Sequence, residues 1–372
     1  MAVLNSLYPI IMAGGTGTRF WPKSRFNHPK FLLNLTHRNQ SMLALTLSRF
    51  INWLPTTQIR IISYRHLQDP ILETYPDLSP DQLILEPNGK DTLAAILLTA
   101  YKMKKQFGSE FTLGFFPTDH HISPTSRFRE IIQVGVNLIH ENPSIPVALG
   151  TIPTEPNPAL GYILHDSDPL RQITSSSLTK PINVYTMKGF REKPSPETAS
   201  HYLNEGNVHW NIGIYLWNVE TLIQHCEQSV PQDTALFESI EAYLNTSHEY
   251  TYLEQIFPQL TPGSIEFAVI EHLPALHMLE CDFQWDDLGT WDSVEKYLPK
   301  DEVGCVLAKD MIAFDSKNLL VNAPDSSVVA MGIQDLVLVQ ESEILFICHR
   351  SQLGQIKEIH RLLHHRGRHD LL

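Results

Sequence analysis

The sequence predicts an α/β protein, a mostly parallel mixed sheet covered by helices and followed by a small β domain. Three observations carry this. Over the first 300 residues, short apolar runs alternate with stretches of helical period, the pattern of strands joined by crossover helices. The first of these runs, 9–13, breaks into a glycine-rich loop, as a strand does when it feeds an anion-binding turn. From about Val303 the texture changes to short β-rich runs. The expected organisation is an α/β domain over 1–300 and a β-rich domain over 301–372, with a stacked β-helix fragment as one form the latter could take.

The bounds agree with two domains. At 372 residues the chain has room for them at roughly 100–200 residues each. Asp plus Glu number 41 against 28 Lys plus Arg, a formal charge of −13, which argues against a protein that tracks nucleic-acid phosphates. Any anion must be held by local charge and backbone amides. Cys226, Cys281, Cys305 and Cys348 are far apart with no CxxC spacing, so neither a zinc ribbon nor a disulfide framework is expected. With no basic-then-apolar leader and no run near 18 apolar residues, a cytoplasmic protein away from membranes is expected.

Strands are predicted at 9–13, 58–63, 111–116, 146–152, 182–190 and 211–217. Between them, 41–54 and 92–104 carry apolar residues at spacings of three and four, with Asp91 as cap for the second. Ser195 caps a further helix with Pro196 at its first position, where no amide partner is needed. In the tail, 312–314, 319–321, 327–331, 336–340 and 344–348 read as strands and 351–365 as a helix. His364, His365 and His369 read as a solvated basic tail. In an open α/β sheet the functional loops lie at the carboxyl ends of the strands.

Three segments bear chemistry on their residues alone. Residues 10–33 read IIMAGGTGTRFWPKSRFNHPKFLL. Gly14, Gly15 and Gly17, with Thr16 and Thr18 among them, leave amides free to approach phosphate, because glycine accepts φ > 0. Arg19 and Lys30 add fixed positive charge where a pyrophosphate leaving group gathers negative charge. The loop is no Walker motif, since Arg19 stands five residues after Gly14, and Phe20 replaces the third glycine of the dinucleotide pattern. Asp119, just past an apolar strand and a proline, suits a hard cation such as Mg²⁺, although an aspartate there also serves as a helix cap. Glu86, with Asn88 and Gly89 in EPNGKDT, offers a carboxylate that can accept both pairing-edge donors of guanine and would repel the acceptors of uracil or thymine.

GGTGTRFWPKSR with a following PK resembles the signature of the sugar-phosphate nucleotidyltransferases, and its FWPKSR resembles one branch, the mannose-1-phosphate guanylyltransferases. PTDH at 117–120 resembles the family's metal-binding segment, and WDDLGTW at 285–291 its WxDxG motif, with Asp287 rather than Asp286 at the matching position. The resemblance thus implies that Asp119 and Asp287 together hold Mg²⁺. EPNGKDT resembles EPxGRNT, with Lys90 and Asp91 replacing Arg and Asn. LGYI, FREKP and WNIG resemble GYGYI, FxEKP and WNSG, which implies that the Gly161 backbone, Glu192, Lys193 and Asn211 bind the sugar phosphate. SIEFAVIEH at 264–272 resembles SxDYAxMEK with Glu266 for Asp and His272 for Lys, and PKFLL departs from PKQFL.

The resemblance covers essentially the whole chain. It implies a Rossmann-like fold of the nucleotide-diphospho-sugar transferase type and a cytoplasmic homodimer. The implied reaction is Mg²⁺-dependent transfer of GMP from GTP to α-D-mannose 1-phosphate, giving GDP-mannose and pyrophosphate. Long members of the family add a cupin-type isomerase domain after this point, and isomerase activity is not expected here. Glu266 leaves guanylyl transfer to another sugar 1-phosphate open. A non-catalytic regulator that binds GDP-mannose is the reading from a different class.

Overall fold

A computed structural model describes residues 3–15, 17–35, 40–298 and 300–372, so Thr16 lies outside the described residues. Its strands are β1 Leu7–Met12, β2 Arg60–Tyr64, β3 Leu83–Glu86, β4 Thr112–Pro117, β5 His120–Ser123, β6 Val147–Thr151, β7 Gly161–His165, β8 Arg171–Ile173, β9 Ile182–Arg191, β10 Val208–Asn218, β11 His277–Cys281, β12 Gln284–Asp287, β13 Gly304–Phe314, β14 Leu319–Met331, β15 Leu336–Glu341 and β16 Ile344–His349. By close contacts the chain gathers into two units. One comprises Met1–Gly14, Leu47–Pro117 and Ile122–Trp285, the other Gly15–Thr46, Thr118–His121 and Asp286–Leu372. A two-stranded ribbon pairs β12 with β5.

The first unit is built on a sheet of ten strands among the described residues, in the order β3-β2-β1-β4-β10-β6-β11-β9-β7, with β8 alongside β9. β3, β2, β1 and β4 are mutually parallel. They are apolar through most of their length because both faces are covered, with Ile10 and Ile11 of β1 both buried. β10 then enters antiparallel between β4 and β6, and β9 runs antiparallel to β11 and β7. The result is the mixed sheet expected, parallel at one end and largely antiparallel at the other. Helix Asp91–Phe107 buries Leu93, Ile96, Leu97, Ala100 and Met103 in the main core. Gly108, at φ 82, ends it.

Many predicted elements stand within a residue or two. In the tail, however, 312–314 is the end of the longer β13, and 319–321 and 327–331 form the single strand β14. The strand expected from residue 211 begins at Val208. Other departures have local causes. The strand expected from residue 58 begins at Arg60, because Thr56–Gln58 forms a 3₁₀ turn after Pro55. The helix expected over 41–54 covers only Met42–Ser48, and Asn52, at φ 64, stands in the turns that follow. Asp91 is not the cap of its helix. Lys90 holds that position, and Asp91 is the first helical residue, at φ 67, with its carboxylate accepting the Thr92 N–H at 2.7 Å. Ser195 does cap its helix, accepting from the Thr198 N–H, with Pro196 behind it. The terminal helix is Ile356–His365, preceded by a 3₁₀ segment Arg350–Gln355 whose start is capped by the His349 ring.

In the second unit β13, β14 and β15 are parallel and β16 returns antiparallel to β15. Parallel neighbours without crossover helices need tight corners that stack. Asp315, Asn318 and Asp335 all take positive φ at such corners, and Asn318 Nδ2 donates to Asp335 Oδ1, 17 residues on, at 2.5 Å. Ile333 N–H donates to Ser316 Oγ at 3.3 Å. Side-chain ladders of this kind fix the rung spacing of a β-helix. Leu320, Val337 and Val339 pack with Phe20, Leu288, Trp291 and Val294 in one core. Among the described residues no helix is long and apolar enough to cross a membrane.

Candidate active site

The expected catalytic residues Arg19, Lys30, Asp119 and Asp287 all fall in the second unit, drawn from its three separate stretches. Gly17, at φ 65, opens the turn Thr18–Phe20, and its carbonyl accepts from the Phe20 N–H and from Ser24 Oγ. A Cβ on Gly17 would stand 2.4 Å from Lys30 Cβ, so the loop passes directly over the lysine only because glycine is there. Gly15, also left-handed at φ 80, is exposed. Arg19 is exposed, while Phe20 is buried, packs edge-on against Trp291 at 5.4 Å and lies 5.2 Å from Lys30 Nζ.

Lys30 Nζ donates to Asp119 Oδ2 at 2.7 Å. Burial pushes the Asp119 carboxyl up, but the Lys30 ammonium, helped by His120, outweighs it and holds the group below the usual carboxylate range. Leu288 N–H donates to the Asp119 carbonyl at 2.9 Å, which locks the WDDLGTW turn beside Asp119. Burial and then the Asp119 charge push Asp287 up to about 6, against the pull of Lys30 and Arg19. Asp286 is engaged elsewhere, by Lys296 at 2.7 Å and the Tyr297 hydroxyl. Gly289 leaves room for the Asp287 carboxylate, since a Cβ there would stand 3.1 Å from Oδ2. Among the described residues no group of three or more His, Cys, Asp or Glu side chains is arranged to hold a metal.

The remaining expected residues fall in the first unit. Gly14 ends its first stretch, near the Tyr64 hydroxyl. Glu86 closes β3 at 4% exposure, and its Oε1 has no hydrogen-bond partner among the described residues. Burial, reinforced by Asp91, pushes its carboxyl up to about 8. Asn88 and Gly89 lie just beyond it, and a Cβ on Gly89 would stand 2.8 Å from the Tyr64 hydroxyl. Lys90 is spent on structure, donating to the Pro258 and Leu260 carbonyls at 3.1 Å. Gly263 N–H to the Lys90 carbonyl and Leu93 N–H to the Gly263 carbonyl complete the pinning of this loop.

Gly161, Glu192, Lys193 and Asn211 come together. A Cβ on Gly161 would stand 2.5 Å from Glu192 Oε2 and 3.3 Å from Asn211 Cβ. Lys193 Nζ donates to Glu192 Oε1 at 2.6 Å. Asn211 Nδ2 donates to the Tyr215 hydroxyl at 2.6 Å, and that hydroxyl donates to Glu266 Oε1 at 3.1 Å. Burial, then Glu192, raises the Glu266 carboxyl. Ile212, which replaces the serine of WNSG, is buried in the core. Sequence reasoning missed Tyr215 and Glu271, whose Oε1 accepts the Glu192 N–H at 2.8 Å. Tyr215 shares the even spacing of Asn211 on β10, a signal that could have found it.

Fixed cations beside carboxylates, as at Lys30, Asp119 and Asp287, suit an enzyme that moves a charged group between charged substrates. The comparisons narrow that class. Residues 8–304 match the nucleotidyl transferase family and residues 309–363 match the mannose-phosphate isomerase/GMP-like β-helix domain. The chain belongs to the nucleotidyl transferase family. It is 30% identical to a mannose-1-phosphate guanylyltransferase of Klebsiella pneumoniae, over 95% of this chain and 73% of that one. An Escherichia coli protein of the same name is 28% identical over 97% of this chain and 76% of its own. A crystal structure described as mannose-1-phosphate geranyltransferase, from Thermus thermophilus, superposes with a TM-score of 0.81 at 26% identity, covering 96% of this chain and 99% of that one. The family drawn from the motifs, and the fold with its small terminal β domain, are borne out.

Proposed function

We propose that this chain transfers GMP from GTP to mannose 1-phosphate, forming GDP-mannose and pyrophosphate. The observation that carries the guanine assignment is Glu86, a buried carboxyl at the carboxyl end of a parallel strand with one oxygen unpartnered among the described residues. A buried acceptor without a partner costs free energy until a ligand supplies donors, and guanine supplies two adjacent ones. The names of the relatives support mannose 1-phosphate as acceptor.

In this reading a phosphate oxygen of the sugar phosphate, anionic near neutral pH, attacks the α-phosphorus of GTP. The new O–P bond forms as the bond from α-phosphorus to the bridging oxygen of pyrophosphate breaks, and that oxygen keeps the electron pair. No general base is needed. The amides of Gly15 and Gly17 receive phosphate oxygens, and Arg19 with Lys30 stabilises the departing pyrophosphate. Lys193 draws the acceptor phosphate, while Glu192, Asn211 and the Gly161 backbone orient the sugar hydroxyls.

Asp119 and Asp287 fit Mg²⁺ by their chemistry. They are two hard oxygen donors, and the mutual repulsion that helps lift Asp287 to about 6 is relieved by a cation. When bound, Mg²⁺ would neutralise phosphate charge. Until then Lys30 serves Asp119 as counter-ion. Transfer to another hexose or heptose 1-phosphate is the second reading, favoured by Glu266, whose longer side chain ends on the Tyr215 hydroxyl. The test is pyrophosphate release with each of four nucleoside triphosphates, Mg²⁺ and a panel of sugar 1-phosphates. Release confined to GTP with mannose 1-phosphate supports the proposal. Release with other sugars alone moves it to the second reading, and release with none removes the transfer.

A further inference from the structure

Arg19 is exposed, so its place depends on the backbone of the turn Thr18–Phe20 that carries it. That turn is held from beneath by the end of the chain. Helix Ile356–His365 packs on it. The His360 ring of that helix lies 6.2 Å from the Trp21 ring at 72°. Trp21, buried, donates its Nε1–H to the Leu371 carbonyl at 2.7 Å and meets Phe346 edge-on at 5.5 Å. Ile344 and Ile356 close the same apolar cluster. Arg25 Nη1 reaches the Asp370 carbonyl at 3.5 Å and its Nε–H donates to the Pro22 carbonyl.

These contacts all lie within one unit. Lys30 and Asp119, by contrast, are held by each other, and Asp287 sits in the WDDLGTW turn, so the tail bears on the loop and not on the carboxylates. Burial lowers the basicity of His360, so a neutral ring, rather than a further cation, backs the turn.

We propose that His360, together with the Trp21 indole, is a positioning residue for the phosphate-binding turn, setting where Arg19 meets the triphosphate. The proposal rests on the nucleotide reading of the glycine-rich loop given above. Its consequence is selective. Loosening the turn weakens engagement of the nucleoside triphosphate, whereas the sugar-phosphate residues, carried by the other unit, are untouched.

The test measures KM for GTP, KM for mannose 1-phosphate, kcat and thermal midpoint in full-length wild type, His360→Ala, His360→Phe and Trp21→Phe. His360→Ala, which removes the ring packed on Trp21, is expected to raise the GTP KM about fivefold and to leave the mannose 1-phosphate KM unchanged. His360→Phe, which keeps a ring against Trp21, is expected to recover most of that loss. Trp21→Phe, which loses the Leu371 bond and part of the ring contact, is expected to show the same split. An unmoved GTP KM in His360→Ala, or equal rises in both KM values with a fallen midpoint, overturns the proposal. If His360→Ala does not fold, His360→Phe and Trp21→Phe decide by the same split. An active wild type with unmoved variants ends this proposal alone, while a wild type that neither binds nor turns over GTP ends the nucleotide reading with it.

Discussion

At Glu86, burial raises the carboxyl from 4.5 in an exposed chain to about 8 in the folded protein. A group whose folded pKa is raised supports stability below its unfolded value and loses that support as pH climbs through the folded one. Glu86→Gln removes the titration. The variant should therefore gain on wild type as pH rises from 4.5 towards about 8 and keep that gain above it, in thermal melts of the ligand-free protein. The same substitution swaps an acceptor for a mixed donor and acceptor, and preference for GTP over ATP should fall by about tenfold or more in competition assays. Asp287, pushed up to about 6, obeys the same sign, being destabilising once ionised. Asp287→Ala should thus keep or raise the melting temperature while turnover drops by about a hundredfold or more. A variant with near-normal pyrophosphate release would take Asp287 out of the reaction.

The turn at Gly17 and its neighbour at Lys30 make a claim about elements rather than single side chains. Gly17→Ala would place a methyl 2.4 Å from Lys30 Cβ at φ 65, so the loop or the Lys30–Leu32 turn must move. A stability loss of about 1–3 kcal/mol is expected by denaturant titration, with GTP turnover falling further than stability alone explains. This turn was legible in the sequence, as were β1, β4 and the Ser195 cap, because glycine, proline and capping residues act locally. Arg19, Lys30, Asp119 and Asp287 were singled out by residue chemistry and motif resemblance rather than periodicity, but that they fall in one unit with the terminal β strands was not foreseen by a division at residue 300. Less legible were contacts set by strand order. The even spacing of Asn211 and Tyr215 is local to WNIGIY, but nothing there announces that Tyr215 will also reach Glu266, because that partner lies 51 residues on. Asp91 misled for a related reason: its short side chain tolerates the left-handed conformation, which moved the cap one residue earlier. Why β10 runs antiparallel to β4 is likewise a property of the sheet, invisible in either strand.

For the molecule as a whole, the small β sheet presents Ile312 and Phe314 beside their register partners Val329 and Met331, all between 58% and 74% exposed. Four large apolar side chains in one block favour association. Phe314→Glu with Met331→Lys should reduce any concentration-dependent self-association in sedimentation or light scattering while sparing the melting temperature; an unchanged mass at every concentration would show that this block carries no contact. The bond from Trp21 to Leu371 spans 350 positions of the chain. During synthesis, then, the phosphate loop emerges early yet waits for nearly all the rest to be made before its support exists, and loop closure over such a span is slow. In refolding experiments the Trp21 environment should mature later than the bulk of the helical signal, and the ability to release pyrophosphate should appear with that late phase. The unit that gathers Arg19, Lys30, Asp119 and Asp287 is therefore the later one to be completed, because its stretches Gly15–Thr46 and Asp286–Leu372 come from opposite ends of the chain.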